Sequence, residues 1–429
     1  MKPQNFEESL IWYVIVCTYV IYVIGILFPV YTLLAWVLFF YLCKQVWSER
    51  KKDDFNKKIK ISWLMWVWGI CMVLILIVTC IGFYDFKLGT TSLIRGILGW
   101  LTTSAVLGVY FFSGCLNIRP QLIYRAICIL CLQSLIAIPI GYMGYQLHLP
   151  AIVYSSPIER IIQNGPIYYN VGFYEIDYDT RGVRLSLFAP WCPALGLVSN
   201  VYFFLALQES NKAWRYIGII GAIAMNIVSV SRSAFICLPL VLLFIWLLQN
   251  FTRPGVQIAA GFISFISGIF GTTLITTVKD FVDIFNGARV SSSRGRAALG
   301  RMALERYKEA PIWGHGIPDP GPAIVGHLPI GSHHTWIGLL FVKGLAGFIA
   351  LLVPMLLTFI DLTIKALQSV TARVALSIYL TLLFFSFSEQ IDVLAYMCFP
   401  GLIVMGIAFQ EKASLLNKFD KNRVITNAS

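Results

Sequence analysis

Charge is scarce in this chain of 429 residues. Asp, Glu, Lys and Arg make up only 13% of it, where a soluble domain carries about a quarter. That scarcity excludes an ordinary solvated globule. Histidine is scarcer still, with five in all. No internal repeat and no low-complexity tract interrupts the chain. The ten cysteines lie mostly inside apolar runs and spell out no disulfide framework. Cys128 and Cys131 form a C-x-x-C within one such run, where small apolar packing residues are the plainer reading than a metal or redox motif.

Apolar residues make up 58% of the chain, and the mean hydropathy is +0.75. Apolar runs of about 17–25 residues, enough to cross the hydrocarbon core, recur along nearly the whole length. Twelve apolar segments can be drawn, some of them short for a span. The first six are roughly Leu10–Phe28, Val30–Trp47, Ile61–Tyr84, Leu93–Cys115, Leu122–Tyr142 and Phe188–Leu207. The others are Trp214–Val230, Ala234–Phe251, Gly255–Val278, Leu345–Phe359, Val374–Phe387 and Val393–Phe409. Glu7 and Glu8 precede the first run and no small-residue cleavage site follows it, so it reads as a membrane helix and not as a cleaved signal. The expected fold is an all-α polytopic membrane protein, one integral domain with about 12 transmembrane helices.

Much of the net charge of +12 is orientation signal, not a nucleic-acid footprint. Seven basic residues from Lys44 to Lys60 mark the connection after the second segment as cytoplasmic. Counting from it puts both termini inside. Two long loops, 146–187 and 279–334, then fall outside.

Two outside features oppose the orientation rule. Ser231-Arg232 stands in a short outside turn at the start of the eighth segment. Serines from Ser291 onward cap a predicted amphipathic helix that ends near Pro311, with Arg294 and Arg296 at its first turn. A helix N-terminus offers free N–H groups, and a guanidinium adds a fork that fits phosphate. His333 and His334 close the second loop. The apolar stretch Thr335–Lys343 is too short to span, and Gly344 and Gly347 permit a break before the next span. A histidine at the start of that short helix is kept neutral by the positive helix end, which suits a general base. His315 and His327 are near in sequence, but no spacing resembles a zinc motif.

The order of these motifs resembles the O-antigen ligase and O-antigen polymerase superfamily. The matching residues are Ser231-Arg232; Gly295-Arg296 leading to Pro311, Gly314 and Gly316; and His333 with Trp336, Ile337, Gly344 and Gly347. Where the family usually has Asn after the histidine, this chain has His334, and the distance to Gly344 selects His333. The resemblance covers roughly Arg184 to Gly347. It implies a glycosyltransferase C-like fold in the bacterial inner membrane, termini cytoplasmic and active site periplasmic. The implied activity is transfer of a glycan from an undecaprenyl-diphosphate carrier to a glycan or lipid A-core acceptor. The implied mechanism is inverting, without metal or other cofactor. His333 is then the expected base, with Arg232, Arg296 and Arg184 on the diphosphate and Arg294 and His334 in support. No G-x-x-x-x-G-K phosphate loop is present, in keeping with a donor that carries its own energy. Two rival expectations remain open. Asp177 and Asp179 form a D-x-D in the first loop that suits a metal-dependent glycosyltransferase. A lipid-linked glycan flippase would place its charges near the bilayer midplane.

Overall fold

The computed structural model describes residues 2–50, 59–159, 165–177, 180–287, 290–322 and 328–411. Each of the twelve apolar segments is helical. The first is a pair, α1 (Phe6–Val16) and α2 (Thr18–Ile24), bent by 62°. Then come α3 (Leu27–Arg50), α4 (Trp63–Asp85), the broken helix α5 (Thr90–Thr102) and α6 (Ser104–Phe112), and α7 (Pro120–Gln146). After the first loop follow α8 (Cys192–Ala206), α9 (Lys212–Ser229), α10 (Arg232–Asn250), and α11 (Pro254–Ile269) bent by 87° against α12 (Gly271–Gly287). The described helices continue with α13 (Val290–Arg306), α14 (Thr335–Ala366), α15 (Val370–Phe385), α16 (Ile391–Leu394) and α17 (Phe399–Gln410).

Among the described residues, seven helices are long and apolar enough to cross a bilayer, or nine if each bent pair counts as one span. This is a membrane protein, but length and composition do not carry the expected twelve crossings. The shortfall has a physical reason. The short apolar helices α8 and α15 sit inside the bundle, against each other and against α17. Every residue of α8 from Ala194 to Ala206 is buried. Protein, not lipid, surrounds them, so bilayer thickness does not set their length. α9 falls short in hydropathy because it carries Lys212, Arg215 and Asn226. At the other extreme α11 buries no residue and exposes Ile258, Phe262 and Phe265, the composition of a lipid-facing surface.

Cys128 and Cys131 are buried where α7 meets α9. A Cβ on Gly218 would meet the Cys128 Sγ, and one on Gly221 would meet the backbone and Cβ of Cys131. Small residues let the two helices approach closely. Arg119 and Arg125 hold carboxylates: Arg119 Nε donates to Glu8 at 2.7 Å and Arg125 Nη2 to Glu209 at 2.7 Å. The first loop is not irregular throughout. It carries two short antiparallel pairs, β1 (Ile152–Ser155) with β2 (Asn170–Gly172), and β3 (Glu175–Ile176) with β4 (Val183–Arg184).

One junction decides where the second loop goes. α14 is broken at Gly344, whose φ of 61° and ψ of −166° are non-helical. A break in a helix strands carbonyls before it and amides after it. Here the turn 311–316 takes up both. Leu345 N donates to Pro311 O and Ala346 N to Ile312 O, at 2.8 and 3.1 Å; His315 N and Gly316 N donate back to Phe341 O and Val342 O, at 3.0 and 2.8 Å. Gly314 and Gly316 take positive φ in that turn, 71° and 80°. The Pro311–Gly316 motif and the Gly344 motif are thus two halves of one clamp.

Candidate functional site

The clamp folds α13 back along the first half of α14. Leu299 and Ala303 of α13 bury against Phe341 and Ile330. Arg306 closes the far end, with Nη1 2.5 Å from Asp319 Oδ2 and its guanidinium 5.4 Å above the Phe341 ring. Ring stacking on Phe341 at 4.4 Å holds His315, whose nitrogens lie 3.0 Å from Phe341 O and 3.1 Å from Glu309 Oε2. His315 is therefore part of the clamp. His327 lies outside the described residues.

This packing carries Arg296 to the start of α14. Its Nη1 donates to Ser388 O at 3.3 Å and its Nη2 to Glu389 Oε1 at 3.4 Å. Its side chain keeps 36% of its surface exposed, while that of Glu389 keeps 2%. The expectation for the helix start needs correcting. α13 begins at Val290, so Arg294 and Arg296 stand in its second turn and not at its first amides. Arg294 is exposed.

His333 and His334 divide the roles expected of one residue. The N-cap of α14 is His334, whose Nδ1 accepts from Ile337 N at 3.3 Å. His333 precedes it with φ 62°, the left-handed region that a branched or bulky residue seldom adopts. Burial first, and then the positive charge of Arg296, hold the His333 imidazole down at about 4. Desolvation and a neighbouring guanidinium, and not the cap position, are what hold it down. Burial also lowers His334.

Glu389 organises the group, and sequence reasoning passes over it. Its Oε2 accepts from Trp191 Nε1 at 3.1 Å, and its carbonyl accepts from Thr335 Oγ1 at 2.6 Å. Trp336 Nε1 reaches Ser386 Oγ at 2.8 Å. Burial pushes the Glu389 carboxyl up to about 7, against the pull of Arg296 and Trp191. Tyr168 from the first loop lies over Trp191, ring centroids 6.0 Å apart. A usable signal exists: Glu389 is an acid in a short turn between two apolar segments, where ionisable groups are costly and tend to be functional.

Arg232 opens α10 after Val230, which turns in the left-handed region at φ 46°. Ser231 and Ala234 pack on Gly196, just inside the α8 start that Trp191 caps. Arg232 thus stands at the same end of the bundle, joined to the Arg296–His333 group through α8. Arg184 is placed differently. It sits in the β3–β4 hairpin, 3.2 Å from Asp177 Oδ2 and 3.5 Å from Glu175 Oε2. Cys192 Sγ lies 3.2 Å from Glu175 Oε2, which ties the hairpin to the start of α8. Asp177 is buried, holding Arg184 and accepting from Thr180 N. Asp179 lies outside the described residues. Among the described residues no group of three His, Cys, Asp or Glu is arranged to hold a metal ion.

Curated proteins yield no match to the chain. A family model described as O-Antigen ligase matches residues 217–352. That stretch contains Arg232, Arg296, His333, His334 and the whole clamp. Arg184 and Glu389 lie outside it. Residues 217–352 of this membrane chain are thus similar to an O-antigen ligase domain, which supports the resemblance to the O-antigen ligase and polymerase superfamily.

Proposed function

We propose that the chain transfers a glycan from an undecaprenyl-diphosphate carrier to an acceptor hydroxyl at the periplasmic face of the inner membrane. It does so as a ligase onto lipid A-core or as a polymerase onto another lipid-linked glycan. The observation that carries the reading is the pairing of two unlike groups. A half-exposed guanidinium, Arg296, lies within electrostatic reach of a half-buried neutral imidazole, His333.

In the reaction the acceptor oxygen attacks the anomeric carbon from the face opposite the diphosphate. The carbon–oxygen bond to the diphosphate breaks as the new glycosidic bond forms, and the configuration inverts. His333 takes the hydroxyl proton. Negative charge gathers on the departing diphosphate, and fixed guanidiniums stabilise it without reorganisation. Arg296 supplies that charge, and Arg232, on the adjoining helix start, adds to it. The bond broken already holds the energy, so no nucleotide is consumed.

The test is turnover of a polyprenyl-diphosphate glycan by the purified protein with candidate acceptors. Arg296→Ala is expected to slow it by about 10²–10³-fold, and His333→Ala by about 10²–10⁴-fold. His334→Ala is expected to be milder, because its ring caps a helix. EDTA is expected to change little. Near wild-type turnover in both Arg296→Ala and His333→Ala overturns the reading, and a strong loss in EDTA redirects it to metal chemistry.

A further inference from the structure

We propose that Glu389 is an internal occupant of the diphosphate site: its carboxylate holds the Arg296 guanidinium before the substrate arrives, then yields it to the incoming anion and takes up a proton. The inference rests on the reading of Arg296 as a diphosphate ligand.

The geometry argues for exchange. Arg296 reaches Glu389 Oε1 at 3.4 Å and Ser388 O at 3.3 Å. Both bonds are long for a charged donor, and together they do not use the bidentate fork. A diphosphate offers that fork a shorter, paired contact. Glu389 cannot follow. Trp191 Nε1 fixes Oε2 at 3.1 Å, and its main chain is pinned by Thr335 Oγ1 at 2.6 Å. Arg296 can swing, since a third of its surface is exposed, while Glu389 is 2% exposed.

Once Arg296 turns to the anion, Glu389 is a buried carboxylate without its bonded cation. Leaving such a charge in place is costly, and protonation removes it. The neighbours give no relief. Trp191 and Tyr168 are neutral, and Tyr168 feels both Glu389 and Asp392. Asp392 adds like charge, and is itself turned toward Ser104, the partner of Lys343. His333 faces Arg296 and stays neutral near pH 7. Burial already holds the Glu389 carboxyl at about 7 with Arg296 beside it, so losing Arg296 raises it further.

Isothermal titration of the full-length purified protein with inorganic pyrophosphate, in two buffers of unlike ionisation enthalpy, tests this. At pH 8 the wild type is expected to take up about one proton more than Glu389→Gln on binding. Glu389→Gln is expected to bind pyrophosphate roughly tenfold more tightly, because the competing carboxylate is gone. Equal affinity and equal proton uptake in the two proteins overturn the inference. If Glu389→Gln does not fold, sulfate affinity of the wild type decides, because sulfate does not titrate in this range. It is expected to rise about tenfold from pH 8 to pH 6, and a flat profile overturns the proposal. Arg296→Ala separates the two claims. If it binds pyrophosphate as well as the wild type, the reading of Arg296 itself falls. If it loses binding while Glu389→Gln is unchanged in both measurements, only the exchange is wrong.

Discussion

Gly344→Ala probes the part of the molecule on which the site depends. At φ 61° and ψ −166° the backbone is where only glycine is at ease. Forcing alanine there costs on the order of 1–3 kcal/mol. The added methyl would also run into the Ile312 carbonyl, which is backbone and cannot rotate aside. The strands of the clamp must then part, and four backbone bonds join them: Leu345 to Pro311, Ala346 to Ile312, His315 to Phe341 and Gly316 to Val342. At about 1 kcal/mol each their loss adds roughly 4 kcal/mol if all break. A destabilisation of about 3–5 kcal/mol is expected for a partly opened clamp. Thermal unfolding of the detergent-purified protein, followed by tryptophan fluorescence, is expected to shift down by roughly 3–6 °C. Gly268→Ala is the control, because a Cβ there meets nothing within 4 Å. Turnover is expected to fall in Gly344→Ala as well, since the clamp sets the path of α13 and so the position of Arg296. A Gly344→Ala protein that melts and turns over like the wild type refutes the clamp.

Two further outcomes follow from the titrating groups. The His333 ring is expected to titrate at about 4 in NMR of labelled histidine, assigned with His333→Asn. Arg296→Gln is expected to move that midpoint upward while burial keeps it below the ordinary 6.5; no movement would detach the two residues. Glu389 bears on stability with the opposite sign to a salt-bridged carboxylate. In the unfolded chain it ionises from 4.5, in the folded protein from about 7. The folded state therefore holds an extra proton between those values, and stability falls as pH rises through that window, by about 3 kcal/mol in full. The melting difference between Glu389→Gln and the wild type is expected to grow in favour of the variant from pH 5 to pH 8. A constant difference contradicts the assignment.

The features legible without a structure were those with local causes. Each apolar run marked a helical segment, because crossing lipid and hiding backbone polar groups are demands a segment meets by itself. The break at Gly344 was legible for the same reason. Two glycines at a fixed spacing after a stretch too short to span announce it. Arg232 and Arg296 could be picked out as basic residues standing where the orientation rule disfavours them, and His333 by its place before the short helix. The membrane count was less legible, since α8 and α15 are shielded by other helices and escape the length rule.

What only the tertiary structure decided was which groups meet. Ninety-odd residues separate Arg296 from Glu389, and nearly two hundred separate Glu389 from Trp191. No periodicity encodes such contacts. The division between His333 and His334 was likewise hidden, because one residue's difference in register decides which ring caps the helix. That Arg184, expected on the diphosphate, pairs with Asp177 and Glu175 of its own hairpin was equally out of reach of the sequence. The sequence determined the helices, their breaks and the kinds of chemistry available, all of which follow from solvent and backbone within a few turns. The partner of each charge was settled only by three-dimensional packing, because electrostatic attraction acts through space and takes no account of chain order.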